Sequence, residues 1–401
     1  MLSMTKKLIA DAMLGLEMSL SAGPKTCASS SWYENKIPEI NHGEVSGASN
    51  LVELDQPNWH ITEKLEYSGV SIVSKAKVVM FEPLDGNHHP LARKAMVCTA
   101  HYRLFKYPHS RVLVYTLKSL SHFLKTLNSR KKGVACGSVA LLGNRVYDNA
   151  NYYHFLVDVI ADIWYIKCNV PESEIPDYYL VPFAGLDWQW DILNICGLSE
   201  KQVIPYDRYD LLSIEKLIIP IRDKGDINLP PWLCHAIHHI CDWSLKAQGG
   251  QRLIFVSRAD ADRRRLVNEP AILERLCDKG FEVHTLNGLS VAEQQQLFAS
   301  SAIICAPHGA ALTNLVWCRP RTVVIEFLSE KHVRPCFKKL AEQNGVIYYP
   351  YVCLAVEGNE VGFRRDLYIS DQQIDSVLEV VNKHMRSSDR ALTTAKANAT
   401  G

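Results

Sequence analysis

A histidine, a glycine and two alanines stand between two apolar stretches late in the chain. Residues 302–306 have the length and composition of a buried strand, a proline breaks it, and the residues after the turn suit a helix. The amides of Gly309, Ala310 and Ala311 are therefore expected at a helix N-terminus, where N–H groups and the helix dipole favour a phosphate. His308 beside them can donate a hydrogen bond or carry charge. This stretch predicts a phosphate-binding turn.

Two neighbouring strands carry polar residues that belong to the same predicted site. Residues 252–257 read as a strand that ends in Ser257 and is followed by Arg258, and residues 322–328 read as a strand that carries Glu326. The carboxyl ends of parallel strands meet at one rim, where ligands bind in open α/β sheets. We expect Arg258 to hold a diphosphate bidentately and Glu326 to bind ribose hydroxyls.

The loop after Arg258 is rich in arginine. Arg264 is a further candidate for the phosphates, and at least one arginine of residues 263–265 is expected to be solvated only. Asp260 and Asp262 have the spacing of a D-x-D metal-binding motif, but four flanking arginines suit an anion better than a cation. If arginines and helix amides neutralise the ligand, no metal is required. Further candidates for ligand contacts, of second rank, are Glu269 and Asn314.

A histidine and two aspartates recur at helical spacing in the first half of the chain, after Asn151 as a suitable N-cap. His154, Asp158 and Asp162 stand at i, i+4 and i+8, which places them on one face of a helix. Such groups can transfer a proton, or they can form an internal pair that satisfies itself at a domain interface. The spacing alone leaves both interpretations open.

The composition is that of an ordinary globular protein. Hydrophobic residues make up 47% of the 401 residues and charged residues 22%, and a net charge of +1 gives no indication of nucleic acid or an anionic membrane. The twelve cysteines are scattered without a C-x-x-C pair, as is typical of reduced thiols. No apolar run reaches the ~18 residues of a membrane span. We therefore expect a cytoplasmic protein without a transmembrane segment, of undetermined oligomeric state.

Strands and helices alternate from residue 252 to 351, which predicts an α/β fold with a parallel sheet. A charged stretch with glycine and proline near residue 225 reads as a linker. The predicted divisions are an N-terminal domain over 1–225 with an irregular first segment, a ligand-binding domain over 226–370, a C-terminal helix over 371–388 and a disordered tail over 389–401. The fingerprints of dinucleotide oxidoreductases, P-loop NTPases and α/β-hydrolases do not occur.

Four spaced motifs together resemble glycosyltransferase family 61. They are N-Y-Y-H-F-L-V-D-V from residue 151, V-S-R-A-D-A-D-R-R-R-L-V-N-E from residue 256, A-P-H-G-A-A-L-T-N-L-V-W-C from residue 306 and V-V-I-E-F from residue 323. The resemblance implies a GT-B architecture, in which two Rossmann-like domains face each other across a cleft and the second holds the nucleotide sugar. It also implies an inverting, metal-independent transfer.

Two features depart from the family pattern. Many members have Leu-Pro after the aspartate of the first motif, where this chain has Val159-Ile160-Ala161. Eukaryotic members carry a signal or anchor, and the N-terminal residues here do not resemble one. The first feature implies a small change in helix shape, and the second favours a bacterial-type cytoplasmic enzyme of surface polysaccharide synthesis.

The resemblance gives these residues expected roles. A sugar, from a UDP-sugar in the favoured case, moves to a hydroxyl of a glycan acceptor in one in-line displacement, with no metal or other cofactor. Asp158 or His154 is the expected general base. The acceptor-side candidates are Asn151, Tyr153 and Asp162. Donor contacts are expected from Ser257, Arg258, Arg264, Glu269, His308, Gly309, Ala310, Ala311, Asn314 and Glu326.

Two alternatives remain open. One is an inactive subunit that binds nucleotide sugars, which loss of His154 or Asp158 would indicate; both residues are present. The other is a GT-B-fold epimerase, which would release a changed nucleotide sugar without any acceptor.

Overall fold

The computed structural model describes residues 30–34, 36–37, 68–81, 94–98, 129–143, 150–224, 229–244, 250–357 and 362–399. Contacts within the chain divide these residues into one unit that ends at Trp243 and a second that begins at Ser244. This division lies after the predicted boundary at 225, because the helix Leu233–Ile240 packs on the helix Ala161–Asn169 of the first unit.

The first unit is built on a mixed sheet. Its strands are β1 (Ser30–Glu34), β2 (Gly69–Phe81), β3 (Lys94–Cys98), β4 (Lys132–Leu141), β5 (Tyr178–Val181), β6 (Val203–Pro205) and β7 (Leu211–Ile221). The strand order is β1-β2-β7-β4-β5-β6, and β3 also pairs with β2. Neighbours from β7 to β6 are parallel, whereas β2 is antiparallel to β1, β3 and β7. Alternate residues such as Leu217, Ile219 and Ile221 point into its core.

The helices of the first unit include one continuous helical stretch with an irregular middle. Its three parts are α1 (Tyr152–His154), a π-helical segment (Phe155–Ile160) and α2 (Ala161–Asn169). The remaining helices described in this unit are a 3₁₀ turn (Glu172–Glu174), α3 (Asp187–Ile195) and α4 (Leu233–Ile240).

The second unit is built on a largely parallel sheet. Its strands are β8 (Arg252–Val256), β9 (Phe281–His284), β10 (Ser301–Pro307), β11 (Val323–Ser329), β12 (Ile347–Ala355) and β13 (Leu367–Tyr368). The order is β13-β12-β11-β10-β8-β9, and the strands from β8 to β12 pair in parallel. The predicted parallel sheet and the mixed α/β class are confirmed. Strand order reverses between β8 and β10, which is the point where open α/β sheets bind ligands.

Helices cover this second sheet. They are α5 (Glu269–Cys277), α6 (Val291–Ala299), a 3₁₀ helix (Ala310–Trp317), α7 (Cys336–Gln343), a 3₁₀ turn (Gly362–Arg364) and α8 (Asp371–Ala399). The helix predicted over 371–388 lies within α8, which continues through residues 389–399 of the stretch predicted to be disordered. No glycine or proline interrupts this sequence, so its helix propensity persists.

Candidate functional site

The turn after β10 leads into a helix, as the sequence predicts, and this helix is of the 3₁₀ type. The His308 N–H donates to the Phe327 carbonyl at 2.8 Å, so the chain stays attached to β11 beyond the end of its own strand. The Leu312 N–H then donates to the Gly309 carbonyl at 2.9 Å, three residues back, which gives a 3₁₀ helix in place of the expected α-helix. Ala310 and Ala311 are half-buried at its first turn.

Gly309 makes room for an arginine. A Cβ built on Gly309 would lie 1.8 Å from Nη1 of Arg258. The backbone at Gly309 is extended, with φ of 179°, so the glycine is needed for space and not for its conformation. The Arg258 guanidinium thus occupies the space beside Gly309 and packs against the turn.

Arg258 and Arg264 form a half-buried cationic cluster with Arg263. Arg258 Nη2 donates to the Arg263 carbonyl at 3.1 Å, while the Nε atoms of Arg258 and Arg264 are buried without a hydrogen-bond partner among the described residues. Burial, and then repulsion from Arg258 and Arg263, lowers the pKa of Arg264 to about 9. Arg264 also has a φ of 57°, which is strained for a residue with a side chain. This cluster is an electrostatic arrangement that an anion would complete.

Arg265 differs from its two neighbours. Its Nη2 and Nε donate to Asp366 Oδ2 at 2.8 and 3.1 Å, and the side chain is exposed. It is the arginine of residues 263–265 that forms a surface ion pair and lies outside the cluster.

His308 and Glu326 are joined inside the second unit. Nδ1 of His308 lies 2.5 Å from Glu326 Oε1, and the Tyr348 hydroxyl donates to Glu326 Oε2 at 2.5 Å. Both carboxyl oxygens of the fully buried Glu326 therefore have protein partners. Through Oε1 the carboxyl group contacts His308, and the expected contact of Glu326 with a ribose stays a prediction.

Glu326→Gln tests the buried acid. Burial raises the pKa of Glu326 from 4.5 to about 8, so the native state keeps a proton that the unfolded chain releases between these values. Stability from this group is complete below pH 4.5 and is lost as the pH rises to about 8. We expect the unfolding free energy of the wild type, relative to Glu326→Gln, to fall by up to ~1.4 kcal/mol per pH unit in that window. Urea unfolding at several pH values measures it, and a difference independent of pH would contradict this assignment.

Three side chains around His308 and Glu326 were not expected from the sequence. Tyr348 binds Glu326, and the His332 ring lies 5.1 Å from that of His308. Burial, followed by the charges of His308 and Arg264, lowers the pKa of His332 to about 3, and Arg334 contributes to the same field. His332 and Arg334 follow the end of β11, at the same rim of the sheet as the ends of β8 and β10. Ligands bind at this rim in open α/β sheets, so the position of His332 and Arg334 after β11 could have marked them as site residues.

Three remaining donor-side candidates make internal contacts. Ser257 Oγ donates to Glu269 Oε1 at 2.6 Å and accepts from the Ala259 N–H at 3.1 Å, which ties the turn after β8 to the start of α5. Asn314 is fully buried and donates to Gln294 Oε1 at 3.0 Å and to the Ala311 carbonyl at 3.1 Å. These hydrogen bonds tie Asn314 to the 3₁₀ helix, and the ligand contacts expected of Asn314 and of the half-buried Glu269 stay predictions.

The histidine–aspartate pair of the first unit is formed. Asn151 caps the helix, since its Oδ1 accepts from the N–H of Tyr153 at 2.9 Å and of His154 at 3.4 Å. His154 Nδ1 lies 2.7 Å from Asp158 Oδ2, with side chains 26% and 3% exposed. The buried carboxylate orients a ring that is open to solvent. Tyr153 is buried, with its ring edge-on to that of His154.

Asp162 does not join this pair. Its Oδ1 accepts from Arg222 Nε at 2.7 Å, and its Oδ2 accepts from the Gly143 N–H at 2.9 Å and from Lys224 Nζ. The π-helical segment changes the helical phase between Asp158 and Asp162, so the three residues do not align as predicted. Asp162 thus belongs to a buried ion-pair network, and its expected role on the acceptor side stays a prediction.

The described residues include neither a metal-ligand cluster nor a membrane-spanning helix. None of their His, Cys, Asp and Glu side chains form a group of three or more that could hold a metal ion. None of their helices is both long and apolar enough to cross a membrane. Asp260 and Asp262 lie exposed in the arginine loop.

Comparison with known proteins identifies the central region of the chain. Residues 152–325 match the family model described as Glycosyltransferase 61. The protein named Beta-1,2-xylosyltransferase RCN11, from Oryza sativa subsp. japonica, is 29% identical over 123 residues, which cover 26% of this chain and 23% of the relative. The match thus spans less than a quarter of the relative's length. The resemblance predicted from the motifs is confirmed.

Proposed function

We propose that this chain, a member of glycosyltransferase family 61 by its residues 152–325, transfers a sugar from a nucleoside-diphosphate sugar to a hydroxyl of a glycan acceptor. The observation that carries the proposal is the half-buried cationic cluster at the rim of the second sheet. Arg258 and Arg264 keep unpartnered Nε donors among the described residues, and Arg258 lies against Gly309 at the start of the 3₁₀ helix. A diphosphate supplies the acceptor oxygens and negative charge that this cluster lacks.

The departing diphosphate is stabilised by protein groups in this proposal. Arg258, Arg264 and the amides at the start of the 3₁₀ helix neutralise the charge that develops on it. A protonated Glu326 donates to Nδ1 of His308 and leaves the ring Nε2–H as a further donor. Transfer without a metal follows from this supply of positive charge, and uridine is the nucleoside we favour.

The acceptor is activated in this proposal by His154. With Nδ1–H donated to the buried Asp158, the ring keeps Nε2 free of a proton and able to accept one from the attacking hydroxyl. The exposure of His154 and the burial of Asp158 favour the histidine as base and the aspartate as its orienting partner. A single displacement by the hydroxyl inverts the anomeric configuration. A GT-B architecture, which the family resemblance implies, completes the proposal.

The cellular setting is a further part of the proposal. The ten cysteines whose side chains the structure describes are free thiols, and the Sγ atoms of Cys196 and Cys241 form a hydrogen bond at 3.8 Å. Free thiols are typical of cytoplasmic proteins, and we place the enzyme there, in the synthesis of a surface polysaccharide.

A product assay tests the function. Purified chain is incubated with each UDP-sugar, UDP-xylose included, with a panel of oligosaccharide acceptors and EDTA. Release of UDP and a glycoside of inverted configuration by NMR are expected. Conversion of the nucleotide sugar without acceptor would establish an epimerase instead, and donor binding without any product would establish an inactive subunit.

Gly309→Ala tests the packing of the arginine cluster. The added methyl displaces the end of the Arg258 side chain, which is flexible, so we expect at most ~1 kcal/mol of lost stability but at least ~10-fold weaker UDP binding by calorimetry. Gly362→Ala is the matched control, because its added methyl would lie 3.5 Å from Lys331 Cβ in ordinary contact. Equal UDP affinity of Gly309→Ala and the wild type would contradict the role of this packing.

A further inference from the structure

The π-helical segment has an altered hydrogen-bond register around Asp158. The Ala161 N–H donates to the Leu156 carbonyl, five residues back, and not to the Val157 carbonyl four residues back. A register of this kind costs stability relative to an α-helix and recurs at functional sites. The Val157 carbonyl therefore needs another donor if it is to be satisfied in the protein interior.

Two buried cations bind the carbonyls on either side of the Asp158 Cα atom. Arg222 Nη2 donates to the Val157 carbonyl at 2.8 Å, and Lys224 Nζ lies 3.3 Å from the Asp158 carbonyl oxygen. These carbonyls belong to the two peptide groups that flank Asp158. The hydrogen bonds to these two peptide groups thus fix the position of the Asp158 Cα atom, from which the side chain projects.

Asp162 orients both cations. Its two oxygens accept from Arg222 Nε and Lys224 Nζ, and the three side chains are 2%, 7% and 0% exposed for Arg222, Lys224 and Asp162. Arg222 also lies over the Trp232 ring, with Cζ 5.4 Å from its centroid.

Two buried cations share the Asp162 carboxylate, and the charge of Asp158 also acts on Lys224. Burial is the largest effect on Lys224 and lowers its pKa to about 8. A buried ion pair of this kind adds little net stability, so stability alone is a weak reason for its presence. Its geometry instead has a consequence for the pair of His154 and Asp158.

We propose that Arg222, Lys224 and Asp162 are positioning residues that hold the π-helical segment in the register which places the Asp158 carboxylate on His154 Nδ1. The structural part of the proposal stands on contacts alone. Its consequence for kcat rests on the proposed function, in which His154 takes the proton of the acceptor.

Lys224→Met tests the proposal, because it removes the ammonium group and keeps most of the side-chain length. The full-length chain, labelled with ¹⁵N at histidine, reports the tautomer of His154, whose signal is assigned with His154→Gln. In the wild type we expect a proton on Nδ1 and none on Nε2. In Lys224→Met we expect a mixture of tautomers, and kcat about 10–100-fold lower with an unchanged donor KM. Lys216→Met, which breaks the pair with Glu174 at 2.9 Å in the same unit, is the control and should change neither.

The outcomes separate the two proposals. A folded Lys224→Met with the wild-type His154 tautomer and kcat overturns the positioning role. If Lys224→Met does not fold, Lys224→Gln replaces it, because its amide keeps one of the two hydrogen bonds of Lys224. An unchanged His154 tautomer in Lys224→Gln overturns the proposal. A mixture of His154 tautomers in Lys224→Gln supports it. A wild type that shows the expected tautomer but transfers no sugar refutes the proposed function while leaving the positioning role supported.

Discussion

Asp158→Asn will lower kcat by about 10²–10⁴-fold and leave the affinity for nucleoside diphosphate within about 2-fold of the wild type. The reason is the orientation of His154. An asparagine can offer its NH₂ to Nδ1 at the 2.7 Å contact, which moves the ring proton to Nε2 and removes the base. The nucleotide affinity is preserved because the proposed diphosphate contacts all belong to the second unit.

Steady-state kinetics with saturating donor, together with calorimetric titration of UDP, measure both effects. Asp207→Asn, at an exposed turn of the same unit, is the matched control and should behave as the wild type. Normal turnover by Asp158→Asn would refute the catalytic pair, and a parallel loss of UDP affinity would indicate a change in fold.

Arg264→Met will weaken UDP binding by about 30–150-fold, the loss of ~2–3 kcal/mol expected for charge-assisted hydrogen bonds. The same change will raise the melting temperature of the ligand-free protein. Burial and the repulsion of Arg258 and Arg263 lower the pKa of Arg264, so its charge destabilises the empty native state. Opposite shifts in stability and affinity are typical of a residue kept for binding.

Arg265→Met is the control for this prediction. The two arginines are adjacent, but Arg265 is exposed and paired with Asp366, so its loss should change UDP affinity less than about 2-fold. Unchanged UDP affinity in Arg264→Met would contradict the diphosphate assignment.

Much of the second unit could be predicted from the sequence. Strand-length apolar runs ended by turns gave β8, β10 and β11, and parallel pairing brought Arg258 and His308 to one rim. Ser290 and Glu293 form a capping box at the start of α6, and this residue pair is visible in the sequence. Local patterns sufficed there because the helices and strands have regular periods.

The contacts that could not be predicted are those of buried polar side chains whose partners lie far along the chain. Glu326 is satisfied by Tyr348, 22 residues away, and Asp162 by Arg222, 60 residues away. Which donor a carboxyl oxygen binds depends on tertiary packing, and a local sequence motif carries no information on tertiary packing. The π-helical segment escaped prediction for a different reason, because a spacing argument assumes 3.6 residues per turn throughout.

The most direct test of the account is a thermal-shift screen of the full chain with nucleoside diphosphates and nucleotide sugars, with and without EDTA. A ligand that binds only the native state raises the melting temperature. The account predicts a shift with one nucleoside diphosphate, uridine diphosphate in the favoured case, that persists in EDTA and is lost in Arg264→Met. A shift abolished by EDTA would contradict it and indicate a cation held at Asp260 and Asp262, and the absence of any shift would contradict nucleotide binding itself.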